Sequence, residues 1–483
     1  MDLTWDILPA PARVPELDPD FRPAALANRA FRHRVAASGA AVPLVLAVER
    51  DRGRISRFET QLFAPDHPAA VANLPYVERL VKFLLWQFGG WKLHVGGPAE
   101  IAAFLRACYA PGGCRQFDAE FWSTVYLQPF SVVSGRPEAV PAATHDASGA
   151  VRLDWQGWRI GFDLGASDRK IAVVKDGRLA LKADGSPLLS DELVWDPKPQ
   201  ADPAWHFNQI LEILKLAEAT IHQADPGARV SGIGGSSAGI YVNGQVRVAS
   251  LFRGVPRARF EAEVAPLFQK LQTAMGGVPF RLENDGDVTA LAGAIALRDG
   301  AVLGLAMGSS LAAGYVDGDR RIAGWLNELA FAPVDYQPRA VCDEWSGDRG
   351  VGANYFSQQA VGRLIPAAGI AMPDLPADAL PKRLARVQEL MAANDPRARR
   401  IYTTIGRYLG YAVAQYAEFY LPLRHIEILG RVMTGAGGRI ILDEARAVLA
   451  AEFPELAGAF SFYEPDEREK RHGQAAAAAS LPS

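Results

Sequence analysis

A chain of 483 residues is longer than one core ordinarily fills, so two or three domains are expected. Its 51 Lys and Arg nearly balance 54 Asp and Glu, and the formal net charge of −3 offers neither nucleic acid nor an anionic membrane an electrostatic hold. Apolar residues make up 49% of the chain, enough for sizeable cores, yet no run reaches the roughly 18 residues that would span a bilayer.

The opening MDLTWDILPAPARVPELDPDF is acidic and proline-rich, unlike a signal peptide, so a cytoplasmic location is expected. VPLVLAVERDRGRISRFETQLF predicts two strands around a turn at Asp51–Gly53. NLPYVERLVKFLLWQFGG has helical spacing, with Leu80, Val81, Leu84 and Leu85 on one stripe and Gly89-Gly90 as its stop. WKLHVGG reads as a strand and PAEIAAFLRACYA as a helix opened by proline. Three cysteines are too few for a disulfide framework; Cys108 and Cys114 read as half-buried thiols, with transient pairing as the alternative.

PEAVPAATHDASG, residues 137–149, is a linker by composition and sets a domain boundary near residue 152. Beyond it come strands in WRIGFDLG, RKIAVVKD and RLALKA, a helix over about 203–223, a strand in RVSGIGG and a helix in PRARFEAEVAPLFQKLQTAM. That order predicts a sheet covered by helices. After VPFRLEND and the helix DVTALAGAIAL, the strand, small-residue bend and returning strand recur in AVLGLAMGSSLAAGYVDGDRRIAG. This internal echo predicts two related lobes with a cleft between them. The expected division is 1–152 as an α/β accessory module, 153–298 as lobe I, 299–465 as lobe II with a C-terminal helix able to return to lobe I, and 466–483 as a disordered tail.

Four segments carry residues suited to chemistry. In DLGAS, Asp163 ends a strand where Gly165 frees the backbone and Ser167 adds a hydroxyl, a concave donor surface suited to phosphate with a carboxylate placed to hold Mg²⁺ through water. The alternative is a hairpin bend whose Asp caps its own turn. In ENDGD, Asn284 and Asp285 stand where a strand gives way to a helix; Asp285 can serve as a general base, and both residues are equally good N-caps. Gly308, Ser309 and Ser310 form a second small-residue bend able to approach phosphates. The glycines of ILGRVMTGAGG, Gly430 and Gly435, either admit a nucleoside against the backbone or make an ordinary strand-to-helix loop. Phosphoryl transfer needs chiefly positioning and charge stabilisation, which parts this sparse can supply.

In this order the segments resemble the ROK family of sugar kinases and repressors, part of the actin-like, hexokinase-like ATPase superfamily, over roughly residues 157–450. Asp163, Gly165 and Ser167 match its first phosphate hairpin, Glu283, Asn284 and Asp285 its catalytic-base segment, and Gly308, Ser309, Ser310 and Gly314 its second phosphate loop. The resemblance implies a two-lobed actin-like (ribonuclease-H-like) ATPase fold of the α/β class, extended here by the N-terminal module. The departures are specific. NELAF keeps Glu328 as a sugar contact but has Phe331 where the family has a zinc-binding His. Glu344, Ser346 and Val351 stand at the cysteine positions of its zinc loop, so no structural zinc is expected. Ala353 replaces a sugar-contacting Glu, Ser250 replaces an Asn of the sugar loop, and Arg253, Asp343 and Asp348 are candidates for new contacts. No winged helix is evident: the basic helix of FRPAALANRAFRHRV, with Arg29, Arg32 and Arg34, reads as a solvated face and not as a DNA reader.

The expectation is therefore an ATP- and Mg²⁺-dependent kinase for a sugar-like hydroxyl compound. Asp285 is the base in an interlobe cleft, Asp163 the metal organiser, and Ser250, Asn284 and Glu328 the acceptor contacts; the partner is a small molecule, with no nucleic acid or membrane. A homodimer is the expected assembly. The alternatives are a non-catalytic sugar or nucleotide sensor and an ATPase acting on a protein.

Overall fold

The computed structural model describes residues 8–144, 155–165 and 167–482, so the first seven residues and the boundary expected near 152 lie outside the described residues. The chain divides into two compact units, one of residues 1–146, 305–312 and 324–462 and the other of 147–304, 313–323 and 463–483. The first unit thus groups the N-terminal residues with most of the segment expected as lobe II.

In the first unit, α1 (Ala24–Ala37), β1 (Ala41–Glu49), β2 (Ile55–Phe63), α2 (Asn73–Phe88), β3 (Lys92–Gly96), α3 (Ala99–Tyr109), α4 (Gln116–Tyr126) and β4 (Ser131–Gly135) build a sheet of order β2-β1-β3-β4. The predicted hairpin pairs Glu49 with Ile55, turning through left-handed Arg52 and Gly53. The stripe of α2 is fully buried, and so is Trp86, which packs on Phe121 and Trp122. The arginines of α1 are not a solvated face. Arg29 donates to the Glu452 carbonyl and lies over Phe453, Arg32 pairs with Glu418, and Arg34 lies over Phe63, because both flanks of the helix are packed.

The second unit is built on β5 (Trp158–Leu164), β6 (Asp168–Lys175), β7 (Arg178–Leu179), β8 (Ser190–Val194), α5 (Pro203–Ala224), β9 (Val230–Ser237), β10 (Ile240–Val242) and β11 (Gln245–Val248). Next come α6 (Arg257–Arg259), a π turn, α7 (Leu267–Ala274), β12 (Phe280–Asn284) and α8 (Asp285–Leu297). The sheet order is β12-β9-β5-β6-β7, with β8 also on β6; β12, β9 and β5 are parallel and β6 runs against them. Pro203 opens α5 behind Asp202, whose carboxylate accepts the Ala204 N–H.

The strands β13 (Val302–Met307) and β14 (Leu311–Val316) form the second hairpin. Then follow α9 (Ala353–Phe356), α10 (Gln358–Ala367), α11 (Leu380–Ala392), α12 (Pro396–Tyr416), β15 (His425–Leu429), α13 (Ala436–Glu452) and β16 (Ser461–Tyr463), with β15 between β13 and β16.

The tail expected to be disordered is instead helical: α14 (Glu467–Ala478) lies on the sheet of the second unit, burying Ala475, Ala477, Ala478, Ala479 and Leu481. The alanine run of this tail is what lets a helix backbone approach a sheet closely. Glycines receive it, since a Cβ on Gly161 would sit 1.8 Å from the Ala475 carbonyl oxygen and one on Gly234 only 1.6 Å from that of Ala478. Arg159 fastens the end by donating to the Ala479 and Pro482 carbonyls. Gly234→Ala is therefore expected to lift the helix, destabilising the unit by about 1–3 kcal/mol and speeding trypsin cleavage in EREKRH. Unchanged cleavage would show that α14 is not seated there.

Candidate active site

Three parallel strands end side by side in the second unit, with Asp163 of β5 in register with Ser236 of β9, and Ser236 with Glu283 of β12. Carboxyl ends of parallel strands are where open α/β sheets take ligands. Asp163 is buried; one of its oxygens accepts the Ser236 hydroxyl at 2.6 Å, and the other is 4.0 Å from Lys170 Nζ, which is also 3.8 Å from Asp168. Burial raises the Asp163 pKa above the ordinary carboxylate value, against the smaller opposing pull of Lys170.

Asp285 is the first residue of α8. Burial, and then the charge of Asp163, push its carboxyl up to about 6, while the Gly286 N–H at 3.1 Å partly offsets them. Two neighbouring carboxylates that each resist ionisation form a place where a cation is welcome. Among the described residues no group of three or more His, Cys, Asp or Glu is placed to hold a metal.

Asn284 caps α8: its carbonyl oxygen accepts the Gly286 N–H at 2.7 Å, and its amide donates to the Gly239 carbonyl at 2.7 Å. Gly239 in turn lies against Ala249, so the exposed Ser250 stands close by. Gly286 and Gly314 are glycines for packing, since a Cβ on Gly286 would lie 2.1 Å from the Ala313 carbonyl oxygen and one on Gly314 2.2 Å from the Gly286 carbonyl. From α14, Gln474 donates to both the Asp285 carbonyl and the Thr289 hydroxyl.

The first bend departs from the expected phosphate cradle. The Gly165 N–H donates to the Asp168 carbonyl at 2.8 Å and the Ser167 hydroxyl to the Asp168 carboxylate at 3.1 Å, while Trp195 bonds both bend carbonyls. The bend closes on its own aspartate, which accepts from both the Gly165 N–H and the Ser167 hydroxyl. Ala166 lies outside the described residues.

The other expected nucleotide residues gather in the first unit. At the second bend, Gly308 donates to the Ser310 carbonyl and accepts the N–H of Gln358, leaving Ser309 and Ser310 exposed. Gly430 is there for packing, because its missing side chain makes room for the Met307 backbone at 2.5 Å. Gly435, left-handed at the head of α13, has open space beside it. Glu328 follows Asn327, which is anchored by the Gln87 carbonyl and the Tyr420 hydroxyl.

Two proposed acceptor contacts are corrected. Asp343 caps its own turn, accepting from Trp345, Ser346 N–H and the Ser346 hydroxyl. Asp348 is buried in an ion cluster with Arg79, Lys82 and Arg115 at 3.3, 3.2 and 2.8 Å, which also engages Glu78 and Asp118. Phe331 packs between Trp86 and Trp345. Charge pairs and aromatic rings thus hold the segment around residues 342–351.

Sequence reasoning missed Ser236, Lys170, Asp168 and Gln474. The first three were visible as polar residues at strand ends next to Asp163; Gln474 had no local signal.

A solved ROK family transcriptional regulator, a homolog of the E. coli MLC protein, matches 68% of this chain and 78% of its own, with a TM-score of 0.52 at 17% identity. The chain has the ROK fold. A ROK hexokinase from Thermus thermophilus matches 67% of this chain and 97% of its own, with a TM-score of 0.48 at 19% identity. A ROK family glucokinase from Streptomyces griseus, solved with glucose and AMPPNP, matches 68% and 99% with the same score and identity. No family model and no curated protein matches the sequence. The ROK fold is the actin-like α/β class expected from the sequence; the roles of its residues here rest on their geometry. Among the described residues no helix is long and apolar enough to cross a membrane.

Proposed function

We propose that the chain is an ATP-dependent phosphotransferase acting on the hydroxyl of a sugar or sugar-like compound. The observation that carries this reading is Asp285, a carboxylate beside Asp163 at the mouth of parallel strands with its pKa raised to about 6. A pKa there leaves the carboxylate ionised at neutral pH yet basic enough to take a proton as an acceptor hydroxyl attacks. Asp163, fixed by Ser236, is the residue that would hold Mg²⁺ in this reading, and the ion would supply neutralisation of phosphate charge. Ser309 and Ser310 offer hydroxyls to phosphates, Gly435 leaves room for a nucleoside, and Ser250, Asn284 and Glu328 serve the acceptor.

A second reading is a sensor that binds a sugar without turnover, in line with the regulator that shares the fold. The observation favouring it is Asp168, whose carboxylate occupies the bend that would face phosphate and would repel it. ADP release measured across sugars, amino sugars and polyols, alongside calorimetric binding of each compound, separates the two. One acceptor that stimulates ADP release supports the kinase; sugar binding with no ADP release from any acceptor overturns it in favour of the sensor.

A further inference from the structure

The loop joining α3 to α4 folds back tightly. It turns through Gly112, which is left-handed, and then Gly113, on which a Cβ would lie 2.3 Å from the carbonyl oxygens of Ala107 and Cys108, and the Arg115 N–H donates to the Cys108 carbonyl at 2.8 Å. This backbone bond joins the residue after Cys114 to Cys108 itself and so brings the two cysteines side by side, near enough for each thiol to shift the other's titration. Cys108 is buried and Cys114 exposed. A disulfide needs close Cα atoms and converging side chains, and the Arg115–Cys108 backbone bond closes the loop on itself at these two residues.

We propose that Cys108 and Cys114 form a reversible disulfide on reaction with a hydroperoxide, Cys114 attacking and Cys108 resolving. The division of roles follows exposure. The neighbouring Cys108 thiol brings the Cys114 thiol down to about 7 against the opposing effect of burial, and Cys108 itself is held well above the ordinary thiol value by Cys114 and by burial. Arg115 and Arg79 add to the lowering, and Glu78 opposes it. The Cys114 thiolate attacks the near oxygen of the peroxide; the O–O bond breaks, and the departing oxygen takes a proton to leave as water or an alcohol. Cys108 then gives up its proton and attacks the sulfenic sulfur, so that the S–S bond forms and water leaves. Two thiols are oxidised by two electrons and one peroxide is reduced.

The test exposes the full-length protein to equimolar hydrogen peroxide, blocks remaining thiols with N-ethylmaleimide and records intact mass and a peptide map. The expected result is one blocked thiol, Cys342, where the reduced protein shows three, with residues 108 and 114 cross-linked and dithiothreitol restoring all three. Cys114→Ser is expected to slow peroxide consumption about tenfold or more, and Cys108→Ser to accumulate a dimedone-reactive sulfenic acid at Cys114. The wild-type rate should rise with pH to half its plateau near the Cys114 value. Three blocked thiols after peroxide, a bond involving Cys342, or Cys114 overoxidised in the wild type without a cross-link would each overturn the proposal.

Discussion

Asp285→Asn is expected to lower acceptor-stimulated ADP release about 10²–10⁴-fold while making the protein more stable at neutral pH. The two effects have one cause. The carboxyl titrates near 6 in the folded chain against an ordinary value of 3.8, so the folded state holds the charged form at a penalty of about 1.4 kcal/mol per unit. Water reaching this half-buried group trims the total to about 1–2 kcal/mol. The sign is fixed by linkage. Below the unfolded value both states are protonated and no penalty exists; it grows as pH rises and is complete above about 6. Asparagine keeps the shape and removes the charge, so the variant should melt about 2–8 °C higher at pH 7.5 and like the wild type near pH 3.5. Wild-type turnover should in turn fall as pH drops through about 6. Thermal melts at both pH values and a pH–rate profile check this. A variant that keeps full turnover removes Asp285 from the chemistry, and one that loses turnover and stability together makes it a structural cap.

Asp348→Ala is expected to destabilise the first unit by about 3–5 kcal/mol, the usual consequence of stranding buried charge. Burial alone would raise the Asp348 carboxyl, but Arg79, Lys82 and Arg115 outweigh it and hold it well below the ordinary value. Removing it leaves those three cations with Glu78 and Asp118 alone. A carboxyl with a depressed pKa contributes stability that is present above its unfolded value and lost as pH falls through its folded one. The gap between wild type and variant should therefore be widest near pH 7 and close in acid. Denaturant unfolding measures it, and Trp345, packed on Phe117, Phe121 and Phe331, reports release of the segment by fluorescence. A variant as stable as the wild type at pH 7 would mean that water already screens the cluster.

Much of the fold was legible because its signals are local. Alternating apolar runs marked β5, β6 and β9, a proline behind Asp202 marked the start of α5, and Asp285 stood where β12 gives way to α8. What was not legible depended on partners distant in sequence. Nothing near Asp348 announces Arg79 and Arg115, and nothing near Ala475 announces Gly161. Asp168 directly follows the DLGAS bend, but hairpin chemistry alone does not say which acceptor the Ser167 hydroxyl will choose. Gly430 and Gly314 looked like ligand-binding glycines, but the structure uses their bare backbones for close packing, a distinction that needs the neighbour in view.

The seat of α14 also sets a timetable. During synthesis Gly161 and Gly234 emerge early, while the alanines that cover them come near the end, so one face of the β5–β9 sheet stays open while the residues between are made. At about 5–20 residues per second that interval lasts some tens of seconds. A nascent chain with a bare glycine-lined sheet face for that long is a natural client for a chaperone that shields apolar surface.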